Sequence, residues 1–394
     1  MTKAVDLVRM GRYYEAIKLL ERGEPADAQT VLAYGKAMEM TGQPKQALAL
    51  YKSLNTITPC EQFANNYAAS LARLGLRDPE ELDRLIAAYP SNAFLRAAKG
   101  EMALMDGDLS TGFKMQADRF AVGGAFTVRD QIKLPDWDGG ELDGRLLVVG
   151  EQGLGEEVLF SSAFDQLPPA IISCDQRLIP LFSRSFPRHV FVHRSAIRHY
   201  HGDACCHAMD AFAKVVMRDG YRHPQSWLKP NADLTGRLRP MMAASFPDKL
   251  LVGLSWFSAR KNLSESKSIP VDQLPGLFGD DCAMLNLQYG DIGDDVRWLE
   301  ERGSLVYAID GIDVTNDLDG LAALIASLDV VVTCSNTVAH FAGALGKRTI
   351  LLAPSRFRLW YWGSEGEATK WYPSIHVIRE TDWCKAISRA RSLL

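Results

Sequence analysis

Four loops of this chain carry residue types able to hold or move a charged group. In LLVVGEQGLGEEVLF a strand-like run leads into Gly150, Gly153 and Gly155, which let backbone approach a ligand, and then into an apparent helix whose first amides face an anion. Two carboxylates follow, Glu156 and Glu157. A carboxylate lifted toward neutrality by burial serves as a general base, whereas an acid in a first helical turn otherwise only complements the macrodipole. The spacing is not the G-x-G-x-x-G of a dinucleotide site, and no Lys-Ser or Lys-Thr follows as in a phosphate-binding P-loop, which argues against NAD binding and ATP hydrolysis.

The second loop, LSWFSARKNLSESKSIP, sets Ser255, Ser258, Arg260, Lys261, Lys267 and Ser268 at the end of a strand. Hydroxyls and cations there suit a diphosphate clamp, and a solvated basic loop is the alternative. In the third, DVVVTCSNTVAHFAGALGKRTILLAP, a buried strand ends at Thr333. Ser335, Asn336 and Thr337 fill the cap position of a helix of small residues, whose amides form a second anion site. His340 lies one turn in, facing a phosphate or satisfied within the core. The fourth, WYWGSEGEATKWYPSIHVIRE, holds Trp360, Trp362, Trp371 and Tyr372, either a stacking wall for a base or sugar or an internal packing cluster. HYHGDACCHAMD contains zinc-binding residue types, but adjacent Cys205 and Cys206 point to opposite faces of a strand and no ligand pair has the usual loop spacing, so no metal is expected.

These loops need a scaffold that brings strand ends together. Runs rich in β-branched residues, LLVVG, AIISCD and VFVHR, alternate with amphipathic stretches, the pattern of βαβ units and a parallel sheet. A Pro-rich, polar passage from Pro224 to Pro247 separates them from a second set, LLVGLSW, AMLNLQ, SLVYAI, DVVVT and TILLAP. The expected fold is therefore two Rossmann-like domains facing a cleft, with ligands outside the carboxyl ends of the strands. Before them, Gly11, Gly42, Gly75 and Gly107 fall 31, 33 and 32 residues apart, each flanked by amphipathic segments. That is close to the 34-residue period of tetratricopeptide helical pairs, in which glycine permits close helix packing and Ala16 and Ala47 fill the tight crossing. An ordinary helical bundle has the same apolar period. The boundaries expected are 1–128 for tetratricopeptide-like repeats, 129–240 for the first Rossmann-like domain and 241–394 for the second.

Composition narrows the classes. A length of 394 residues fits two or three domains, and 47% apolar with 23% charged residues is a globular balance that excludes wholesale disorder. The 44 basic and 48 acidic residues leave a net charge of −4, so no global field is available for nucleic acid or an anionic membrane. Seven scattered cysteines without a repeated spacing fit a reducing compartment. Asp6 and Arg9 interrupt what would be a signal peptide, and no run reaches a membrane span, so a cytoplasmic protein is expected.

Taken together, GEQGLG, the RKN and KSIP pair, NTVAHFAGALGK and WYPS resemble the ADP-heptose:lipopolysaccharide heptosyltransferase family from about Trp137 to Arg379. The whole architecture is similar to that of protein O-GlcNAc transferases and flagellin-modifying glycosyltransferases, which join tetratricopeptide repeats to a GT-B region. The resemblance implies an inverting, metal-independent glycosyltransferase that uses a nucleotide-sugar donor and no cofactor, on a protein or other large acceptor recruited by the repeats. It implies Glu156 as base, where the family usually has Asp, with Glu157 in reserve. It implies donor contacts from Gly153, Gly155, Ser255, Lys261, Gln288, Ser335, Asn336, Thr337, His340, Trp362 and Trp371. Ser335 and Asn336 stand where the family usually has Asp-Thr, and Trp360, Tyr361 and Trp362 where Trp-Arg-Trp is common. Those departures imply either an altered donor or a site kept for binding, as in a non-catalytic adaptor or nucleotide sensor.

Overall fold

The computed structural model describes residues 3–21, 28–57, 59–122, 127–258, 267–353 and 359–394. The described residues up to 122 form one compact unit and those from 127 onward a second. Lys261 and Arg260 lie outside the described residues.

The first unit is helical. Its helices run α1 (Lys3–Arg9), α2 (Tyr13–Leu20), α3 (Ala28–Met40), α4 (Pro44–Ile57), α5 (Glu61–Leu74), α6 (Pro79–Ala88), α7 (Ala93–Asp106) and α8 (Leu109–Gln116). Helices α3 to α7 pack around buried Tyr51, Phe63, Tyr67, Leu71 and Leu95, and α1 to α3 around Leu7, Ala16, Ile17 and Ala37. Each periodic glycine follows the first helix of a pair and takes a left-handed φ, of 74°, 82°, 61° and 84° in chain order. The next residue then bonds back five positions: Arg12 to Leu7, Gln43 to Met38, Leu76 to Leu71 and Asp108 to Ala103. This is the Schellman ending, whose left-handed residue costs glycine nothing. The repeat therefore marks where a helix must stop. A side chain on Gly11, Gly42 or Gly107 would meet nothing within 4 Å, so close helix packing, expected of the periodic glycines, does not depend on them. It falls to Gly35, whose added Cβ would lie 2.3 Å from the Tyr51 hydroxyl, and to Gly100, 2.9 Å from Met115 Cβ. Ala16 and Ala47 are fully buried.

The second unit holds two parallel sheets. The first lobe contains β1 (Leu146–Val149), α9 (Leu154–Phe160), β2 (Ala170–Cys174), α10 (Ile179–Ser185), β3 (Val190–His193), β4 (Ala204–His207) and α11 (Ala208–Val216), with strand order β3-β2-β1-β4. The second contains α12 (Ala232–Ser245), β5 (Leu250–Ser255), β6 (Cys282–Asn286), α13 (Gly293–Glu300), β7 (Val306–Tyr307), α14 (Leu318–Ser327), β8 (Val330–Cys334), α15 (Thr337–Ala344), β9 (Thr349–Leu352), β10 (Ile375–Ile378) and α16 (Trp383–Ser392), in the order β10-β9-β8-β5-β6-β7. This second order is that of a dinucleotide-type doubly wound sheet, with its reversal between β5 and β8; the first sheet reverses between β1 and β4. In sheets of this kind ligands bind outside the carboxyl ends of the strands at such points.

The central strands are buried along their whole length, as sheets covered on both faces require. Two strands lie outside the runs that alternate with amphipathic stretches in the sequence. In β4 the residues are Ala-Cys-Cys-His, without a β-branched run, and Cys205 and Cys206 are buried on its two faces. The short edge strand β10 follows the aromatic segment directly. Helix α12 lies inside the polar passage, carrying Gly236 and Pro240; residue 240 falls within it, and Arg239 ties it to Asp329 at 2.8 Å and to the Ser327 carbonyl at 3.1 Å. Among the described residues no helix is long and apolar enough to cross a membrane.

Two glycine substitutions separate capping from packing in the helical unit. Gly42→Ala should cost about 1–2 kcal/mol through its left-handed backbone alone. Gly35→Ala should cost about 1–3 kcal/mol by overpacking against Tyr51, and a second change, Tyr51→Leu, should recover part of that loss only in the Gly35→Ala background. Urea unfolding of the four variants, followed by circular dichroism, measures both.

Candidate active site

The carboxyl end of β1 enters a turn that side chains would block. A Cβ on Gly150 would lie 2.2 Å from the Ser173 carbonyl, and one on Gly155 2.5 Å from His340 Cδ2. Glycine at 155 thus lets α9 of the first lobe approach α15 of the second. Gly153 is the N-cap of α9. One turn of helix then splits the two adjacent glutamates between different surroundings, because successive residues point about 100° apart.

Glu156 is half-buried on the side of the second lobe, where the Tyr361 hydroxyl donates to its Oε1 at 3.5 Å. Glu157 turns inward and is only 3% exposed. Its Oε1 accepts from Arg194 Nε at 2.9 Å and its Oε2 from the Asp175 amide at 3.1 Å. Burial nevertheless lifts its carboxyl to about 7, against the opposing pull of the Arg194 charge. A neighbour that residue types alone did not single out, Glu151, is also buried and accepts from the Met209 amide in the first turn of α11 at 2.8 Å.

Across from this turn, the ends of β5, β6 and β8 are joined by one polar network. Asn336 caps α15: its Oδ1 accepts from the Val338 amide at 3.0 Å and from the Thr333 hydroxyl at 3.1 Å. Its Nδ2 donates to Ser255 Oγ at 2.7 Å and to the Phe257 carbonyl at 3.1 Å. Gln288 Oε1 accepts from Ser255 Oγ at 3.0 Å and from the Trp256 and Phe257 amides at 2.8 and 2.7 Å. Ser255, Gln288 and Asn336 are therefore buried, mutually satisfied groups that tie together the carboxyl ends of β5, β6 and β8. Thr337, the first residue of α15, is partly exposed.

His340 sits where both lobes meet. It is 3% exposed, shares a 2.6 Å hydrogen bond between Nδ1 and the Tyr372 hydroxyl, and is ringed by Tyr361, Trp362 and Tyr372 at centroid distances of 4.7, 4.8 and 5.6 Å. Burial, helped by the positive charge of Lys267, pulls its imidazole down to about 3. Lys267 is itself 3% exposed and also bears on Cys334. It is the described cation of the basic loop, whose stems are held by the Ser258 amide on Ser268 Oγ at 3.1 Å and the Ile269 amide on the Trp256 carbonyl at 2.8 Å. The aromatic segment faces inward. Trp362 Nε1 donates to Ser335 Oγ at 2.9 Å, and Trp371 packs between Phe212 of α11 and His223 at 5.2 and 5.4 Å. Of the residues expected at the site, the turn 153–157, Ser255, Gln288, Ser335–Thr337, His340 and Trp362 lie together at the carboxyl ends of β1, β5, β6 and β8. Trp371 instead joins a packing cluster beside them.

Comparison with known proteins gives no matching family model. Protein FlbA of Caulobacter vibrioides is 26% identical over 413 residues, spanning 95% of this chain and 68% of that protein. Among solved structures, ADP-heptose lps heptosyltransferase II of E. coli aligns with 59% of this chain and 90% of its own at a TM-score of 0.42 and 13% identity. A glycosyl transferase family 9 protein of Veillonella parvula aligns over 62% and 89% at a TM-score of 0.45 and 13% identity. An O-GlcNAc transferase of Thermobaculum terrenum covers 100% of this chain and 90% of its own at a TM-score of 0.33 and 13% identity.

The site has a pH signature independent of any ligand. His340 has its folded-state value depressed below that of a free imidazole, so its neutral form favours the fold above about pH 6.5 and that contribution is lost as pH falls toward 3. In nuclear magnetic resonance spectra its ring signals should stay constant from pH 8 to pH 5. A titration midpoint near 6.5 would contradict the buried, neutral state.

Proposed function

We propose that this chain is an inverting glycosyltransferase that moves a sugar from a nucleotide-sugar donor to a hydroxyl of a protein acceptor. The observation that carries the reading is the meeting, across one contact between the lobes, of a half-buried carboxylate and a buried cation. Glu156 of α9 reaches Tyr361, while Lys267 of the opposite lobe acts on His340, against which Gly155 of α9 rests. The sequence resemblance to heptosyltransferases supports the same assignment.

In this reading the donor diphosphate lies at the carboxyl ends of β5 and β8. Glu156 takes the acceptor proton while the acceptor oxygen attacks the anomeric carbon. The bond from that carbon to the diphosphate breaks, and its electron pair leaves with the diphosphate. Lys267, the amides at the start of α15 around Thr337, and Lys261 meet the charge that develops, the part a metal plays elsewhere. No metal or cofactor is needed for this chemistry. Ser255, Gln288 and Asn336 hold the strand ends, and Trp362 holds Ser335 and His340 in place. Glu157, engaged by Arg194, supports the turn rather than serving as base. The helices of the first unit recruit the acceptor, in the cytoplasm.

Incubation of the full chain with a panel of nucleotide sugars and candidate protein acceptors should release nucleoside diphosphate and leave a glycosylated product visible by mass spectrometry. Glu156→Gln should lower kcat by about 10²–10⁴-fold and Lys267→Met by about 10²–10³-fold. Turnover that survives Glu156→Gln unchanged removes it as base. Calorimetric binding of a nucleoside diphosphate without turnover of any donor would replace this reading with a nucleotide sensor.

A further inference from the structure

The turn that carries Glu156 contains a strained residue. Gln152 has φ of 61°, a left-handed conformation that non-glycine residues keep only where the surroundings impose it. It is followed by Gly153, so the local sequence offers a glycine one position too late to take the strain. Hydrogen bonds from one side chain reach this residue and the helix after it. Arg194, just past the end of β3, donates from Nη2 to the Gln152 carbonyl at 2.9 Å and from Nε to Glu157 Oε1, also at 2.9 Å. One guanidinium thereby spans the turn, from its strained residue to the first turn of α9. Glu157 is in turn held by the Asp175 amide beyond β2, and Glu151, next to Gln152, by the Met209 amide beyond β4. The ends of three strands converge on the four-residue turn 150–153 and the first turn of α9.

We propose that Arg194 is a positioning residue: with Glu157 as its anchor it holds Gln152 in the left-handed conformation and so fixes the start of α9 and the direction in which Glu156 points. The planar fork of arginine is what makes both contacts at once, which a lysine ammonium on a flexible stem does not. The clamp itself follows from the geometry of the turn; its effect on turnover rests on the proposed transferase reading, in which Glu156 must meet an acceptor hydroxyl to within a fraction of an ångström.

The test compares the full chain with Arg194→Met and Arg194→Lys. Hydrogen exchange followed by mass spectrometry should show the amides of 150–157 exchanging at least about tenfold faster in Arg194→Met, with those of β1 unchanged and Arg194→Lys between the two. In an enzyme that turns over, Arg194→Met should lower kcat about 10–100-fold with the donor KM within about threefold, and Arg194→Lys should restore part of the rate. Wild-type exchange at 150–157 in Arg194→Met would overturn the clamp, and an unchanged kcat in an active enzyme would overturn its role in positioning Glu156. A wild-type chain without turnover would remove the transferase reading and leave the exchange experiment to decide on the clamp alone. Thermal unfolding of each variant confirms that exchange is measured on the folded chain, and Arg194→Lys serves if Arg194→Met does not fold.

Discussion

Much of the second unit depends on how closely α9 can approach α15. A single hydrogen at position 155 sets that distance, because the His340 imidazole occupies the space where a Cβ would be. The contact is continued along both helices. Trp227, in the passage between the lobes, gives its backbone amide to the Ala344 carbonyl at the end of α15 and its indole to Ser161 Oγ after α9, and stacks on Tyr372. On another side, Arg184 of α10 forks onto Asp319 of α14, and Arg177 donates to the Thr315 carbonyl at 3.0 Å. The carboxyl ends of β1 and β8 are held to each other by packing at close range, and a groove between two sheets becomes a defined site.

Within that site, environment separates groups that the sequence presents as alike. Glu156 and Glu157 are neighbours of one type, yet only Glu157 is deeply buried, and its elevated pKa reflects desolvation that one arginine does not cancel. Lys267 and His340 form a similar contrast: the lysine charge helps to keep the imidazole neutral, so the aromatic cage around His340 holds one cation beside it and none within it. A low local dielectric makes each of these arrangements costly to leave half-satisfied, which explains the dense bonding of Ser255, Gln288 and Asn336.

The helical unit is organised by backbone hand. Four Schellman endings at nearly equal intervals stop the first helix of each pair, and side-chain caps at Asp78, Asn92 and Asp108 start α6, α7 and α8. Helix packing is a separate matter, settled at Gly35, Gly100 and Gly112, where neighbouring side chains leave no room for a methyl group.

The sequence by itself determined the parallel α/β class, most of the strands, the helical period of the first unit, and the loops at which chemistry could occur. These follow from apolar runs and glycine positions, which are local properties of the chain. It put Cys205 and Cys206 on a strand without joining that strand to the sheet, which β4 does by pairing with β1, and it did not mark α12, whose Gly236 and Pro240 weaken a helix that side-chain packing and Arg239 restore. Nor did it distinguish Glu156 from Glu157, reveal Arg194, or decide which aromatics lie at the strand ends and which fill the space beside them. Those distinctions belong to the tertiary structure alone, since burial, charge pairing and the direction of a side chain are set by distant segments, 37 residues apart for Arg194 and Glu157 and 205 for Tyr361 and Glu156, that come into contact only on folding.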